Sequence, residues 1–159
     1  MPMPRPQPSL RARALRYLAQ REHSRIELRR KLARDCDQPE MIDALLDDLE
    51  RARLLSSERF AQSLIHRRRQ RYGNLRIAQE LGVHGLDAET AAAALQATAG
   101  DELERAQAAW ARKFHALPRD AAERARQARF LIQRGFSGDA VRAVLRGAAA
   151  PEDEPDIDV

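Results

Sequence analysis

Three stretches of this chain carry one pattern at a nearly constant interval. "ELGVHGLDAETAAAAL" (80–95) and "FLIQRGFSGDAVRAVL" (130–145) each place two leucines fourteen positions apart, Leu81 with Leu95 and Leu131 with Leu145. A glycine follows the first leucine by four residues (Gly85, Gly135). After it come an apolar residue (Leu86, Phe136) and a helix-capping type (Asp87, Ser137). "KLARDCDQPEMIDALL" (31–46) repeats the leucine spacing with Leu32 and Leu46, and Ile42 takes the register of Ala91 and Val141. Leu32 precedes Leu81 by 49 residues, and Leu81 precedes Leu131 by 50. A period near fifty calls for stacked supersecondary units rather than one irregular fold.

Within each unit the apolar spacing is helical. Leu28 with Leu32, Ile77 with Leu81, and Ala128 with Ile132 are read as i, i+4 pairs. Further helical runs lie ahead of them at 10–21, 58–72 and 102–116, where Phe60 and Leu64 correspond to Trp110 and Phe114. No segment shows strand alternation. The expected fold is all-α: three tandem three-helix repeats, about nine helices, in an elongated, curved body. The expected divisions are a disordered Pro-rich start at 1–8, repeats at 9–56, 57–100 and 101–147, and a disordered acidic tail at 148–159.

Local signals agree with this division. "SRIE" (Ser24 to Glu27) is a capping box, "DAAE" (Asp120 to Glu123) its aspartate counterpart, and Pro39 suits a first helical turn. Gly85 and Gly135 stand where a helix ends in a left-handed residue, with Asp87 and Ser137 capping the next helix. The first repeat departs from the pattern, with Cys36-Asp37 where the others have glycine and an apolar residue. A left-handed cap without glycine costs roughly 1 kcal/mol, so this turn is expected to differ.

The chain holds 28 basic and 24 acidic residues. Five of the acids (Glu152, Asp153, Glu154, Asp156, Asp158) fall in the last nine positions, leaving +9 for residues 1–150. Such a body invites an acidic partner, and the acidic tail could shield it or imitate a phosphate strand. The single Cys36 excludes an intrachain disulfide, and the four dispersed histidines suggest no metal site. There is no leader-like or membrane-spanning apolar run, so a cytosolic protein without membrane contact is expected. No phosphate loop, nucleophile elbow or paired carboxylates assemble; Asp101, Glu102 and Glu104 read as acids of a helix's first turn. The expectation is a binding protein, neither an enzyme nor a cofactor carrier.

The most basic stretch, "IHRRRQRYGNLRI" (65–77), holds Arg67, Arg68, Arg69, Arg71 and Arg76. Placed on one helix, Arg68 and Arg71 continue the apolar stripe of Phe60, Ala61, Leu64 and Ile65. That is either a helix running past its core or a prong for phosphates and carboxylates. In "RIELRRKLARD" (25–35), Leu28 and Leu32 face a core, leaving Arg29 and Arg30 on a basic face that is a second candidate. "WARKFHALPRD" (110–120) mixes Arg112 and Lys113 with Trp110 and Phe114. The aromatics fall on repeat anchors, so core is favoured over a stacking platform for single strands.

"ALRYLAQREHSRIELRRKL" (14–32), "LLSSERFAQSLIHRRRQRYGNLRIAQEL" (54–81) and "RQARFLIQRGFSGDAVRAVL" (126–145) together resemble the bacterial RecX family, over roughly residues 10–147. The resemblance implies three tandem three-helix repeats and a regulator of the recombinase RecA. Such a regulator binds RecA and its filament on single-stranded DNA and depresses ATPase, strand-exchange and co-protease activities, limiting recombination and the SOS response. It implies no catalytic residue. It directs attention to Arg67, Arg68, Arg69, Arg71 and Arg76 as contacts to acidic filament surface or DNA, with weak sequence-independent DNA binding and a monomeric state expected. Two rivals stay open: a DNA-binding protein of helix-turn-helix type, and a helical scaffold for an unrelated protein.

Overall fold

The computed structural model describes residues 1–147. Nine helices and no strand occur among them: α1 (Leu10–Gln20), α2 (Arg25–Ala33), α3 (Pro39–Arg51), α4 (Ser57–Arg68), α5 (Asn74–Val83), α6 (Ala88–Thr98), α7 (Glu102–Lys113), α8 (Ala121–Gln133) and α9 (Gly138–Leu145). The Pro-rich residues 1–9 carry no regular secondary structure. The acidic segment expected at 148–159 lies outside the described residues.

Sequence punctuation sets most helix starts. The side chains of Ser9, Ser24, Asp87, Asp101, Asp120 and Ser137 each accept a backbone N–H of the turn they precede. Such caps are worth about 1 kcal/mol each. Glu123 bonds back to the Arg119 N–H at 3.0 Å rather than to the cap residue itself. Gly85 (φ 88°) and Gly135 (φ 85°) adopt the left-handed conformation assigned to them. The first repeat does turn differently. α2 ends on Arg34 in right-handed geometry, and Gln38, which leads α3, makes no side-chain cap, leaving Pro39 to fix that start.

Two compact units emerge, one of residues 1–67 with 78–99, the other of 68–77 with 100–147. In the first, α2 packs on α1 and α3 around Ala14, Leu28, Leu32, Ile42, Leu46, Leu49 and Leu55. Phe60, Ala61, Leu64 and Ile65 form the buried stripe of α4. Three contacts tie the first repeat to the second within this unit. Arg59 pairs with Glu22 at 2.9 Å. Ser24 Oγ, which caps α2, lies 2.9 Å from His84 Nδ1. A side chain at Gly85 would collide with Ile26.

The second unit packs α7, α8 and α9 around Ala106, Ala109, Leu131, Phe136, Val141, Val144 and Leu145. Its register corrects the pairing of Ala128 with Ile132: Ile132 is 58% exposed, and the buried pair is Gln127 and Leu131. Leu131 keeps its distance from Leu81, so the partner four residues earlier is Gln127, which a search for apolar residues passes over. Its burial is satisfied at both ends of the amide. Gln127 accepts the Trp110 indole N–H at 2.8 Å and donates to the Ala116 carbonyl at 3.1 Å. Trp110 and Phe114 are half-buried rather than core, and Phe114, expected inside a helix, is the extended C-cap of α7.

The first unit also contains acid-sensitive contacts. Lys31 Nζ lies 2.8 Å from Nε2 of the fully buried His23, whose Nδ1 lies 2.9 Å from the Arg21 carbonyl. An ammonium only donates, so His23 is neutral with its proton on Nδ1. Burial, with the Arg21 and Lys31 charges, lowers its pKa from 6.5. Burial pushes the Glu27 carboxyl upward, but bonds to the Arg21 guanidinium and its charge outweigh this and hold the pKa at about 2 against an ordinary 4.5. Both folded values are depressed, so each contribution is present above the unfolded value and lost as pH falls toward the folded one. We expect melting temperature to decline below pH 6.5 and again below pH 4.5. Glu27→Gln should flatten the second decline in a pH series of thermal melts; an unchanged acid limb would contradict the assignment.

Candidate functional site

The basic stretch 65–77 is not one helix. α4 stops at Arg68, residues 69–71 turn, and α5 begins at Asn74. Arg71 therefore does not continue the α4 stripe, contrary to the helical reading of 58–72. The reason lies in the other helices of the second unit. Arg105 of α7 donates to the carbonyls of Arg69 (2.9 Å) and Tyr72 (2.7 Å) and to Asn74 Oδ1 (2.7 Å). Arg112, two turns on, takes the Gln70 carbonyl at 2.5 Å. Carbonyls that another helical turn would have used are held by guanidinium forks instead.

The turn is locked from the other side by backbone. Gly73 N–H donates to the Arg134 carbonyl at 2.8 Å, and Leu75 N–H to the Gly135 carbonyl at 3.0 Å. The approach is so close that a Cβ on Gly73 would lie 2.3 Å from Phe136 N, and one on Gly135 would lie 2.3 Å from Arg76 Cβ. Glu102 completes the clasp: its Oε1 accepts the N–H of Asn74 and of Ser137, both at 3.1 Å. One carboxylate thus serves the N-termini of α5 and α9, where helix dipoles favour negative charge. In the sequence it reads only as a first-turn acid of α7.

This clasp shapes a cleft of about 590 Å³ lined by Arg71, Tyr72, Arg112, Lys113, Phe130 and Arg134. Among the described residues no acidic side chain lines it. Two of its cations, and Arg76 at its edge, sit over rings. Arg134 lies 4.1 Å and Lys113 4.9 Å from the Phe130 centroid, and Arg76 lies 4.0 Å from that of Tyr72. Phe114 meets Phe130 edge-on at 5.4 Å. Contact with a ring face restricts a guanidinium while leaving the N–H donors at its edge free to meet carboxylate or phosphate oxygens.

Several arginines of the first unit are neutralised by carboxylates. Arg13 pairs with Asp35, Arg21 with Glu27, Arg25 with Asp47 and Glu50, and Arg59 with Glu22. Arg29 forms a two-pronged bridge to Asp43 at 2.8 and 3.0 Å. By contrast Arg71, Arg112, Lys113 and Arg134 make no ion pair with any carboxylate among the described residues.

Of the residues singled out in the sequence, Arg71, Arg112 and Lys113 meet in the cleft, and Arg76 flanks it over Tyr72. Arg69 contributes its carbonyl to the clasp, and Arg68 ends α4. Arg67 belongs to the first unit, where its Nε bonds the Ser63 carbonyl of its own helix at 3.4 Å. Arg29 and Arg30 lie on α2 of the first unit, beside a separate pocket that includes Ile26 and Pro39. Sequence reasoning missed Tyr72, Phe130 and Arg134. The usable signal was Arg134 standing just ahead of Gly135, as His84 does of Gly85.

Repeated three-helix units, one set carrying a cation-rich, ring-lined cleft, define a helical-repeat protein. Comparison with known proteins makes the family specific. The first, second and third three-helix domains of RecX match residues 11–49, 58–95 and 100–145. The regulatory protein RecX of Herbaspirillum seropedicae is 52% identical over 153 residues, covering 96% of this chain and 99% of that protein. The Leptothrix cholodnii protein of the same name is 54% identical over 142 residues, covering 89% and 90%. The crystal structure of RecX from Lactobacillus salivarius shares the fold, with a TM-score of 0.74 at 21% identity over 87% of this chain and 93% of that one. The chain belongs to the RecX family of regulatory proteins. No helix among the described residues is long and apolar enough to cross a membrane.

Proposed function

We propose that this protein binds the RecA filament on single-stranded DNA and lowers its ATPase, strand-exchange and co-protease activities, with the cleft of the second unit as its anionic contact. The observation that carries the reading is the set of four cations around Tyr72 and Phe130 with no carboxylate among the described residues to neutralise them. A DNA phosphate backbone or an acidic protein surface supplies what they lack. Regulation through binding also fits the name borne by the relatives.

The helix-turn-helix rival is disfavoured by its own recognition elements. In each three-helix repeat the third helix would enter the major groove. Outward positions of α3 include Glu40, Asp47, Asp48 and Glu50, those of α6 are mostly alanine, and α9 turns Ala140, Val141, Val144 and Leu145 inward. Acids repel phosphates, and alanine reads little beyond a methyl group.

The test is RecA ATP hydrolysis on single-stranded DNA, titrated with the wild type and with Arg71→Glu/Lys113→Glu. Neither side chain donates a hydrogen bond to any described residue, so circular dichroism should be unchanged. We expect the double variant to need about tenfold more protein for equal suppression. Arg30→Glu, outside the cleft, should behave as wild type. Full suppression by the double variant would remove the cleft from the mechanism. No suppression by the wild type would overturn the reading itself.

A further inference from the structure

The cleft is left without carboxylates by the described residues, yet the chain carries a matching set elsewhere. Residues 151–159, "PEDEPDIDV", contain five acids and no base, and lie outside the described residues. We propose that this segment occupies the cleft of its own chain, with carboxylates from Glu152 to Asp158 standing in for the phosphates or acidic side chains of the partner. The proposal rests on the reading of the cleft as the anion-binding surface.

Three observations carry it. The first is charge: the cleft gathers four cations with no ion pair among the described residues, and one short segment carries five carboxylates. The second is the point of departure. The last described residue, Gly147, belongs to the same unit as the cleft and lies so close to Leu117 that a Cβ there would come within 2.7 Å of Leu117 Cδ1. Leu117 is four residues beyond Lys113, a lining residue, so their Cα atoms are separated by at most ~14 Å. The third is reach. Glu152 is five residues past Gly147 and Asp158 eleven, spans of up to ~17 and ~38 Å. The acids therefore extend far enough to bracket the cleft from its α7 side.

A tethered ligand competes at its effective concentration, about millimolar for a short connection. Against an intrinsic dissociation constant of about 0.1 mM, that competition weakens apparent affinity for an external anion about tenfold. The segment would then act as a threshold, yielding only to a ligand of many phosphates or carboxylates.

The experiment compares the full chain with a full-length variant carrying Glu152→Gln, Asp153→Asn, Glu154→Gln, Asp156→Asn and Asp158→Asn. In low salt, proton–nitrogen NMR spectra should differ at Arg71, Tyr72, Arg112, Lys113 and Arg134. The differences should vanish in high salt and be independent of protein concentration. Binding of a fluorescent twenty-residue oligothymidylate should tighten about tenfold in the variant, and this gain should be absent from a chain that also carries Arg71→Glu/Lys113→Glu. Unchanged cleft resonances, or changes that grow with protein concentration and so report contacts between copies, would overturn the proposal. The NMR comparison needs neither RecA nor DNA. Failure of the filament reading with intact tail-dependent shifts is thereby distinguished from failure of the proposal.

Discussion

Gly135→Ala is expected to destabilise the second unit by about 2–5 kcal/mol. Two costs combine. The residue sits at φ 85°, where a side chain adds about 1–2 kcal/mol. Its Cβ would also lie 2.3 Å from Arg76 Cβ and 2.6 Å from Arg76 N, and overpacking against backbone adds about 1–3 kcal/mol. Relief would mean pulling α5 away from the α8–α9 turn and breaking the Leu75 to Gly135 hydrogen bond of 3.0 Å. Two other glycines separate these effects. Gly100 is left-handed (φ 74°) with open space around it, so its alanine variant should show only the conformational cost, about 1 kcal/mol. Gly82 lies within α5 with nothing within 4 Å of a Cβ, so alanine there should gain up to about 1 kcal/mol of helix propensity. Urea unfolding of the three variants supplies the comparison. Equal losses at Gly135 and Gly100 would mean that close approach to Arg76 contributes nothing.

Arg105→Met is expected to cost about 2–4 kcal/mol and to weaken anion binding even though Arg105 does not line the cleft. The half-buried guanidinium fastens the turn between α4 and α5 through three acceptors. Burial draws its pKa below the ordinary guanidinium range, with Glu102 opposing, yet an arginine remains charged at neutral pH. Methionine keeps most of the stem's packing and abandons the Arg69 and Tyr72 carbonyls. The 69–72 turn would then lose the anchorage that places Arg71 and Tyr72 opposite Lys113 and Phe130. Arg105→Lys restores the charge but not the fork, so it should recover only part of the loss. Stability and oligothymidylate affinity, measured on both variants, test the assignment. Lost stability with unchanged affinity would mean that the turn holds the cleft without Arg105.

The sequence was sufficient for whatever depends on neighbours along the chain. The glycine ends at 85 and 135, the caps at Ser24, Asp87, Asp120 and Ser137, and the irregular first repeat follow from local backbone chemistry, and each is found in place. The leucine interval near fifty likewise gave the repeated three-helix fold, because buried faces require apolar spacing. Failures began where a partner remote in sequence changed the local outcome. Gln127 occupies a buried anchor position because Trp110 and Ala116 satisfy its amide, and helical periodicity has no means of registering that. α4 stops at Arg68 although its composition permits another turn, because Arg105, Arg112 and the Arg134 carbonyl compete successfully for the backbone of 69–73.

The same distinction governs the candidate site. Charge counting found the arginines of α2, α4 and the following turn, but it treats every arginine alike. Only the tertiary structure separates Arg29, held by Asp43, from Arg71, Arg112 and Arg134, which converge with no carboxylate of the described residues between them. Composition fixes how much charge a chain carries. Which charges are cancelled depends on which side chains folding brings within hydrogen-bond reach, and that is decided by contacts between residues remote in sequence, such as Ser24 and His84, sixty positions apart.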